Sequence, residues 1–348
     1  MNEKRTIVIL EMLYPKGHKS LDSSIVKILS KNYKIIVLDY KSFFNVQQNN
    51  ISVIELNKQI IIERHEPFIR CSIFYNLIKI KRTLKDIQYD SILFLSINPF
   101  IARFLPLLFK GKNIIVIHHN DIDALRDEHD LTIFKKGIAG IKHIVFGDFI
   151  KRAFIRITGC NEKIIFSVPH PITIDMKEEF NPFNRNRTVV GIGLSNDEEF
   201  INECIQIDQS GKYDIDYQIV LRSKKYKYNS NSLKVFNGYL NEEEYNDYYL
   251  KSAAIIIYYP TAFKYRYSGT LINAMLQNGK VLINEIPAAI EEVGQYKQNL
   301  GIIKSAKDLF QLTDDFFVMG VDRKERELYL FNHSDEIVLK KMSEVIEA

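Results

Sequence analysis

At 348 residues, with 46% hydrophobic and 26% charged residues, 15 Gly and 9 Pro, the chain has the length of two domains and the composition of a globular protein, which excludes disordered, collagenous and solenoid classes. Lys and Arg exceed Asp and Glu by only 47 to 43, so no general attraction for nucleic acid is expected and any basic function must be local. The three cysteines, Cys71, Cys160 and Cys204, are too widely separated for a disulfide framework or a CxxC metal site.

No apolar run reaches the roughly 18 to 20 residues that cross a bilayer, and MNEKRTIVILEMLYP lacks the small-residue cleavage site of a secretory signal. A cytoplasmic protein is expected. TIVILEM (6–12) predicts a first strand, followed by a loop at 14–20 and a helical pattern in SSIVKILSKN. Strands are then predicted at 34–40, 91–96, 113–119, 143–147 and 164–169, with helical patterns at 72–88 and 99–110. Unbroken Ile/Val runs alternating with helices predict a parallel sheet covered on both faces. The stretch 170–187 is polar, contains two prolines and reads as a connector. The alternation resumes with strands at 188–193, 217–222, 233–238, 254–260, 280–285 and 300–304, and a helical pattern runs from about 323 to the end.

The fold class expected is therefore α/β, with two doubly wound Rossmann-like domains. The boundaries are 1–170 for the first, 171–187 for a linker, 188–322 for the second, and 323–348 for a helical segment packing back on the first. In such sheets ligands bind at the carboxyl ends of strands, and two facing carboxyl edges make a cleft.

The loops at those edges supply the candidate residues. After the first strand, Gly17 and His18 let backbone and imidazole approach an acceptor. NIIVIHHNDIDAL (113–125) ends a buried strand with two histidines that point to opposite sides, and His119 is the one expected in the cleft, as a hydrogen-bonding or acid–base group. No third ligand at recognisable spacing supports zinc, and no metal is expected. GIG (191–193) is followed by Asn196 instead of a third glycine, so a nicotinamide site has little support.

LRSKKYKY (221–228) places Arg222 and Lys225 after a strand, where they would neutralise a diphosphate; the plain alternative is a solvated charge run. Tyr239 and Leu240 follow the next strand, where a ring and backbone groups would hold a flat base; the alternative is an exposed turn. The most informative stretch is YYPTAFKYRYSGTLINAMLQNGKVLI (258–283). Ser268, Gly269 and Thr270 open a helix just after Lys264 and Arg266, and the free N–H groups and positive dipole end favour an anion there. An ordinary N-cap beside a basic loop is the alternative.

These segments together resemble the GT-B glycosyltransferases, in particular the retaining bacterial polysaccharide and lipopolysaccharide sugar transferases. The resemblance spans nearly the whole chain and is strongest over 233–293, where VFNGYLNEEEYNDYYLKSAAIIIYYP and YRYSGTLINAMLQNGKVLINEIPAAIEE follow the family's order of base loop, helix, strand, diphosphate loop and helix. IIFSVPHPI (164–172) resembles the family's entry into its interdomain linker. The resemblance implies that Ser268, Gly269 and Thr270 cradle the donor diphosphate, that Arg222, Lys225 and Arg266 offset its charge, and that Tyr239 and Leu240 border the base. It also makes His119 the histidine near the transferred sugar. Where many relatives carry two glutamates, this chain has Tyr265 and Asn273, and Asn273 is expected on a ribose hydroxyl. The acidic GLSNDEEF (193–200) replaces a usual basic loop.

The implied activity is transfer of a sugar from a nucleotide sugar to a saccharide or lipid-linked acceptor, without cofactor or metal, because cationic side chains and a helix N-terminus stabilise the leaving diphosphate. IFYNLIKIKRTLK (73–85) and PFIARFLPLLFKGK (99–112) point to peripheral membrane contact through the first domain, at the inner face of the cell membrane. Helices packed on the sheet with basic outer faces are the alternative that sequence favours. Two rival functions share the architecture: a nucleotide-sugar epimerase, which would convert donor without acceptor, and a non-catalytic partner subunit, which would bind no nucleotide.

Overall fold

The computed structural model describes residues 4–12, 18–44, 46, 48–56, 69–119, 122–126, 128–174, 185–193 and 195–348. The chain forms two compact units. The first comprises Met1–Thr173, Tyr265–Tyr267 and His333–Ala348; the second comprises Ile174–Lys264 and Ser268–Asn332.

Among the described residues the first unit holds strands β1 (Thr6–Glu11), β2 (Lys34–Asp39), β3 (Ile51–Glu55), β4 (Ser91–Ser96), β5 (Asn113–His118), β6 (Lys142–Phe146) and β7 (Ile165–Val168). They form one parallel sheet in the order β3-β2-β1-β4-β5-β6-β7. Burial explains the strand sequences: Ile7, Val8 and Ile9 are fully inaccessible, as are Ile92, Leu93 and Phe94, so a continuous apolar run suits a strand covered on both faces. Each such side chain contributes about 1.5–3 kcal/mol on burial.

The second unit repeats this plan with β8 (Thr188–Gly191), β9 (Gln218–Ser223), β10 (Tyr228–Asn229), β11 (Leu233–Asn237), β12 (Ala254–Ile257), β13 (Val281–Asn284) and β14 (Leu300–Ile303), in the order β10-β11-β9-β8-β12-β13-β14. All pairs are parallel except β10 with β11. Both sheets are thus doubly wound, with strand order reversing between β1 and β4 in the first and between β8 and β12 in the second.

Several elements depart from expectation. Strand β3 was not predicted, because as an edge strand its ISVIE sequence leaves Val53 half exposed and lacks a buried run. The helical pattern at 99–110 is two short helices, Pro99–Ala102 and Leu105–Leu108, because Pro106 brings no N–H to a continuous ladder and instead occupies the first turn of the second helix. The residues expected as one C-terminal segment are divided. The helix Arg323–Asn332 stays with the second unit, where Arg326 donates to the carbonyls of Met275 and Leu276. The helix Asp335–Glu347 packs in the first unit on the helix Lys19–Ser30 and on β7. There Lys31 pairs with Asp335 at 2.6 Å, Asn113 donates to Ile346 O at 3.0 Å, and Lys142 donates to Val345 O at 3.0 Å. The centre of the expected linker lies outside the described residues.

Candidate functional site

In the second unit Arg222, Tyr239 and the Gly269–Thr270 turn lie at or after the carboxyl ends of β9, β11 and β12, and the helix start lies at the switch point between β8 and β12. Gly191 ends β8 where a Cβ would stand 2.9 Å from Leu221 Cδ2 and 3.3 Å from the Ile256 carbonyl, so the lack of a side chain lets the three strand ends pack closely here. Two residues on, a Cβ at Gly193 would lie 3.8 Å from the Thr270 methyl, which brings the loop after β8 against the start of the helix Gly269–Gln277. Gly269 and Thr270 are partly exposed, and the first N–H groups of a helix have no partner within it.

Ser268 differs from expectation. Only 2% exposed, its hydroxyl accepts from Leu271 N–H at 2.9 Å and lies 2.7 Å from the Tyr259 hydroxyl. Its side chain is therefore the N-cap, and at this turn Gly269 and Thr270 are the residues left partly exposed. One turn along, Asn273 carries a buried Oδ1 with no hydrogen-bond partner among the described residues. An amide oxygen in that condition costs free energy until a donor reaches it.

Arg222 and Tyr239 are brought together because β9 and β11 are neighbours, with Arg222 paired in register to Phe236. The guanidinium stands 4.5 Å over the Tyr239 ring, which is 86% exposed. Leu240 turns elsewhere. It lines a cavity of about 400 Å³ with Thr188, Gln218, Lys234 and Tyr248, beneath the helix Glu242–Lys251.

The acidic loop 193–200 has a role that the sequence did not disclose. Glu198 accepts from Lys224 N–H at 2.7 Å and from the Ser223 hydroxyl at 2.5 Å, while Ser223 Oγ accepts from Lys225 N–H at 2.9 Å. Asn196 donates to Gly191 O at 2.7 Å and Arg222 O at 3.0 Å. Asp197 caps the next helix and donates its N–H to Tyr258 O at 2.8 Å. Asn196, Asp197 and Glu198 tie the ends of β8, β9 and β12 together and so set where Arg222 and the exposed Lys225 stand. A side chain three residues past GIG that reaches back to two strand ends was the available signal.

The first unit assembles the other named residues. Gly17 lies outside the described residues. The rings of His18 and His119 meet edge to face at 3.9 Å. Arg266 belongs to this unit through the Tyr265–Tyr267 segment, and its Nε donates to Asp123 Oδ2 at 2.6 Å while Tyr265 N–H donates to Asp123 Oδ1 at 3.1 Å. The Tyr265 hydroxyl, at one glutamate position of the resembled family, accepts from Arg156 at 2.7 Å. Thus His18, His119 and Arg266 share one neighbourhood.

Its electrostatics keep both imidazoles neutral. Burial pushes His119 well below the ordinary histidine range, and His18, His170 and Arg266 add to the shift. Partial burial and Arg266 lower His18 as well. His119 Nδ1 is buried with no hydrogen-bond partner among the described residues. Neutral imidazoles of this kind accept a hydrogen bond from a hydroxyl. His118 faces the other way, fully buried, 2.8 Å from His143 Nδ1.

Several members of this neighbourhood were not foreseen. His333 Nδ1 bonds to His170 O at 2.7 Å, its Nε2 lies 3.3 Å from the Tyr267 hydroxyl, and the Tyr267 ring stacks with His170. At the switch point of this sheet, Ser96 donates to Glu11, and the Asp22 carboxyl is pushed well above its usual range by burial and by Glu11. Among the described residues no group of three His, Cys, Asp or Glu is arranged to hold a metal ion, and no helix is long and apolar enough to cross a membrane.

No protein-family model and no curated protein matches the chain. Solved structures do. The chain is similar to the lipopolysaccharide outer core galactosyltransferase WaaB in its apo form, with TM-score 0.66 and 11% identity over 99% of each chain. It is similar to sucrose-phosphate synthase from Thermosynechococcus elongatus, with TM-score 0.67 and 12% identity over 99% of this chain and 98% of that one. A third similar structure is Anabaena Alr3699/HepE in complex with UDP and glucose, with TM-score 0.67 and 11% identity over 99% of each chain. At such identities the likeness shows the fold: two parallel-sheet α/β domains of the GT-B glycosyltransferase type.

Proposed function

We propose that this chain, whose fold is that of the GT-B glycosyltransferases, transfers a sugar from a nucleotide-diphosphate donor to a saccharide or lipid-linked acceptor in cell-surface polysaccharide synthesis. The observation that carries the reading is the start of the helix Gly269–Gln277. It lies at the switch point of the second sheet, against Gly193, in a sheet whose carboxyl edge also presents Arg222 and Tyr239. The HepE structures with UDP and with UDP-glucose make uridine nucleotides the first donors to examine.

In this reading the diphosphate lies on the N–H groups of Gly269 and Thr270, and the cations Arg222, Lys225 and Arg266 offset the charge that develops as the sugar leaves. No metal is needed for that step. Tyr239 borders the base, and the orphan Asn273 Oδ1 accepts from a ribose hydroxyl. In the first unit, neutral His119 and His18 hydrogen-bond hydroxyls of the transferred sugar and the acceptor, and retention of anomeric configuration follows the family resemblance. Peripheral attachment at the cytoplasmic membrane face belongs to the same reading.

A thermal-shift screen of nucleoside diphosphates and nucleotide sugars, followed by a transfer assay with saccharide acceptors, tests it. A bound nucleotide at a hundredfold excess over its Kd adds about 2.7 kcal/mol to native stability. If no nucleotide raises the transition and no sugar is transferred, the reading fails. Conversion of donor without acceptor would identify an epimerase instead.

A further inference from the structure

One face of the second sheet is packed as a doubly wound sheet ordinarily is: Ile219, Leu233 and Val235 join Phe200 and Ile201 of the helix Glu198–Gln209 in an apolar core. The opposite face is different. There Thr188, Gln218 and Lys234, at the amino ends of β8, β9 and β11, look toward the helix Glu242–Lys251. That helix answers with Glu244, Asp247, Tyr248 and Lys251, whose spacing of i, i+3, i+4 and i+7 puts them on one side of it. This is the spacing at which a helix normally carries the apolar stripe that packs on its sheet. A polar stripe over a polar strip leaves the cavity of about 400 Å³ between them. It runs under the helix from Leu240 and Glu244 to Lys251 and Ser252, and so reaches the amino edge of the sheet, the edge opposite Arg222 and the start of the helix Gly269–Gln277.

The walls of the cavity are held by bonds that exist without a ligand. Glu244 accepts from Asn241 N–H at 3.0 Å in a capping box, Lys251 pairs with Asp247 at 2.7 Å, and Lys234 Nζ donates to the Tyr248 hydroxyl at 3.3 Å. At the amino edge the buried Asn278 amide donates to Ser252 O at 2.9 Å, and Asn186 N–H donates to Lys251 O at 2.8 Å. A site fixed in this way costs little ordering when it is filled.

The lining also selects the ligand. Its two lysines and two carboxylates cancel, so neither an anion nor a cation is favoured as a whole. Lys234 and Gln218 supply donors, Glu244 and Asp247 supply acceptors, and Tyr248 and Leu240 supply apolar surface. That combination recognises an uncharged molecule with hydroxyls around its rim and C–H groups on its faces. The volume stands at the lower end of the roughly 300–1,000 Å³ of small-molecule sites, which suits a sugar of one or two rings.

We propose that this cavity binds a neutral mono- or disaccharide, at a site separate from the transfer site. The binding stands on the cavity alone. Its use, to retain a saccharide chain between transfers, rests on the transfer reading above.

Calorimetric titration of the full chain, without nucleotide, with glucose, galactose, N-acetylglucosamine, maltose and lactose tests the binding. At least one should bind with a Kd of about 1 mM or tighter, and inorganic phosphate should not displace it. Lys234→Met removes an ammonium donor while keeping the length of the side chain, and should weaken the sugar about tenfold to a hundredfold. Gln218→Leu and Tyr248→Phe should each weaken it several-fold. His119→Gln in the first unit should leave it within about twofold. Circular dichroism confirms that each variant is folded. The proposal is overturned if none of these sugars binds at millimolar concentration, if Lys234→Met and Gln218→Leu bind like the parent, or if phosphate competes. Loss of binding in His119→Gln also overturns it, because the sugar then sits at the transfer site. Sugar binding that depends on Lys234, in a chain that binds no nucleotide, would support the site and remove only the use given to it.

Discussion

Acidification should unfold the first unit well before the carboxylates titrate, because His119, His143, His170 and His333 are all held in neutral form by burial. His143, His170 and His333 are 0%, 3% and 5% exposed, and desolvation holds them down to about 3, about 3 and about 4. In the unfolded chain each titrates near 6.5. Folded values below unfolded ones mean that the unfolded state binds more protons as pH falls, so the stability present above pH 6.5 is lost progressively down to the folded values. Each group forfeits about 1.4 kcal/mol per pH unit in that window, or about 2 kcal/mol between pH 7 and pH 5. The three together remove about 6 kcal/mol, comparable with the whole stability of many domains.

Asp22, raised by burial and by Glu11, works in the opposite sense and offsets the slope of one histidine at most. The chain has no Trp, so urea denaturation would be followed by far-UV circular dichroism at several pH values. A His143→Gln variant retains a donor for Ile138 O and an acceptor for His118, and between pH 7 and pH 5 it should lose about 2 kcal/mol less stability than the parent. Stability unchanged between pH 7 and pH 5, or an identical slope in the variant, would refute the argument.

Three further outcomes follow from the same structure. Arg266→Ala should lower turnover of a nucleotide sugar by about tenfold to a thousandfold, and Asp123→Asn, which loosens its grip on Arg266 Nε, should lower kcat by less; steady-state kinetics on both measures this. Glu198→Gln should weaken nucleotide binding by about tenfold through the loop carrying Lys224 and Lys225, read by calorimetry, while the melting temperature of the second unit falls only slightly. Gly279→Ala places a Cβ 2.9 Å from both Arg326 and Val321 at a φ of +78°, so it should cost about 1–3 kcal/mol in thermal denaturation; an unchanged transition contradicts the packing described.

The sheets were legible in the sequence wherever strands are buried on both faces, since short β-branched runs such as IIVIH and AIII, bounded by polar loops, suit a strand covered on both sides. The edges were not. Strand β3 exposes half of Val53, and β10 is two residues of Tyr228–Asn229 paired antiparallel, so neither carries a periodic signal. At the site, loop positions were readable from strand ends, which is why Arg222 and Tyr239 were named before the pairing of β9 with β11 joined them. What stayed hidden depends on partners far apart in the chain. Asp123 meets Arg266 across 143 residues, and His333 meets His170 across 163. At Ser268 an N-cap hydroxyl and a ligand-binding hydroxyl look alike in sequence, and it is burial and the bond from Leu271 N–H that show the cap.

The first unit is discontinuous: it recruits three residues from 265–267 and its closing helix from the end of the chain. Dissection at residue 173 therefore yields no self-sufficient fragment. An expression product stopping there would expose the flank of β7 and the underside of the helix Lys19–Ser30, and would leave the Asp123 carboxylate, 6% exposed in the intact chain, without the guanidinium that neutralises it. Separate study of the halves calls for a permuted gene that fuses His333–Ala348 ahead of the first strand, with a short peptide supplying the tyrosine–arginine–tyrosine strap in trans.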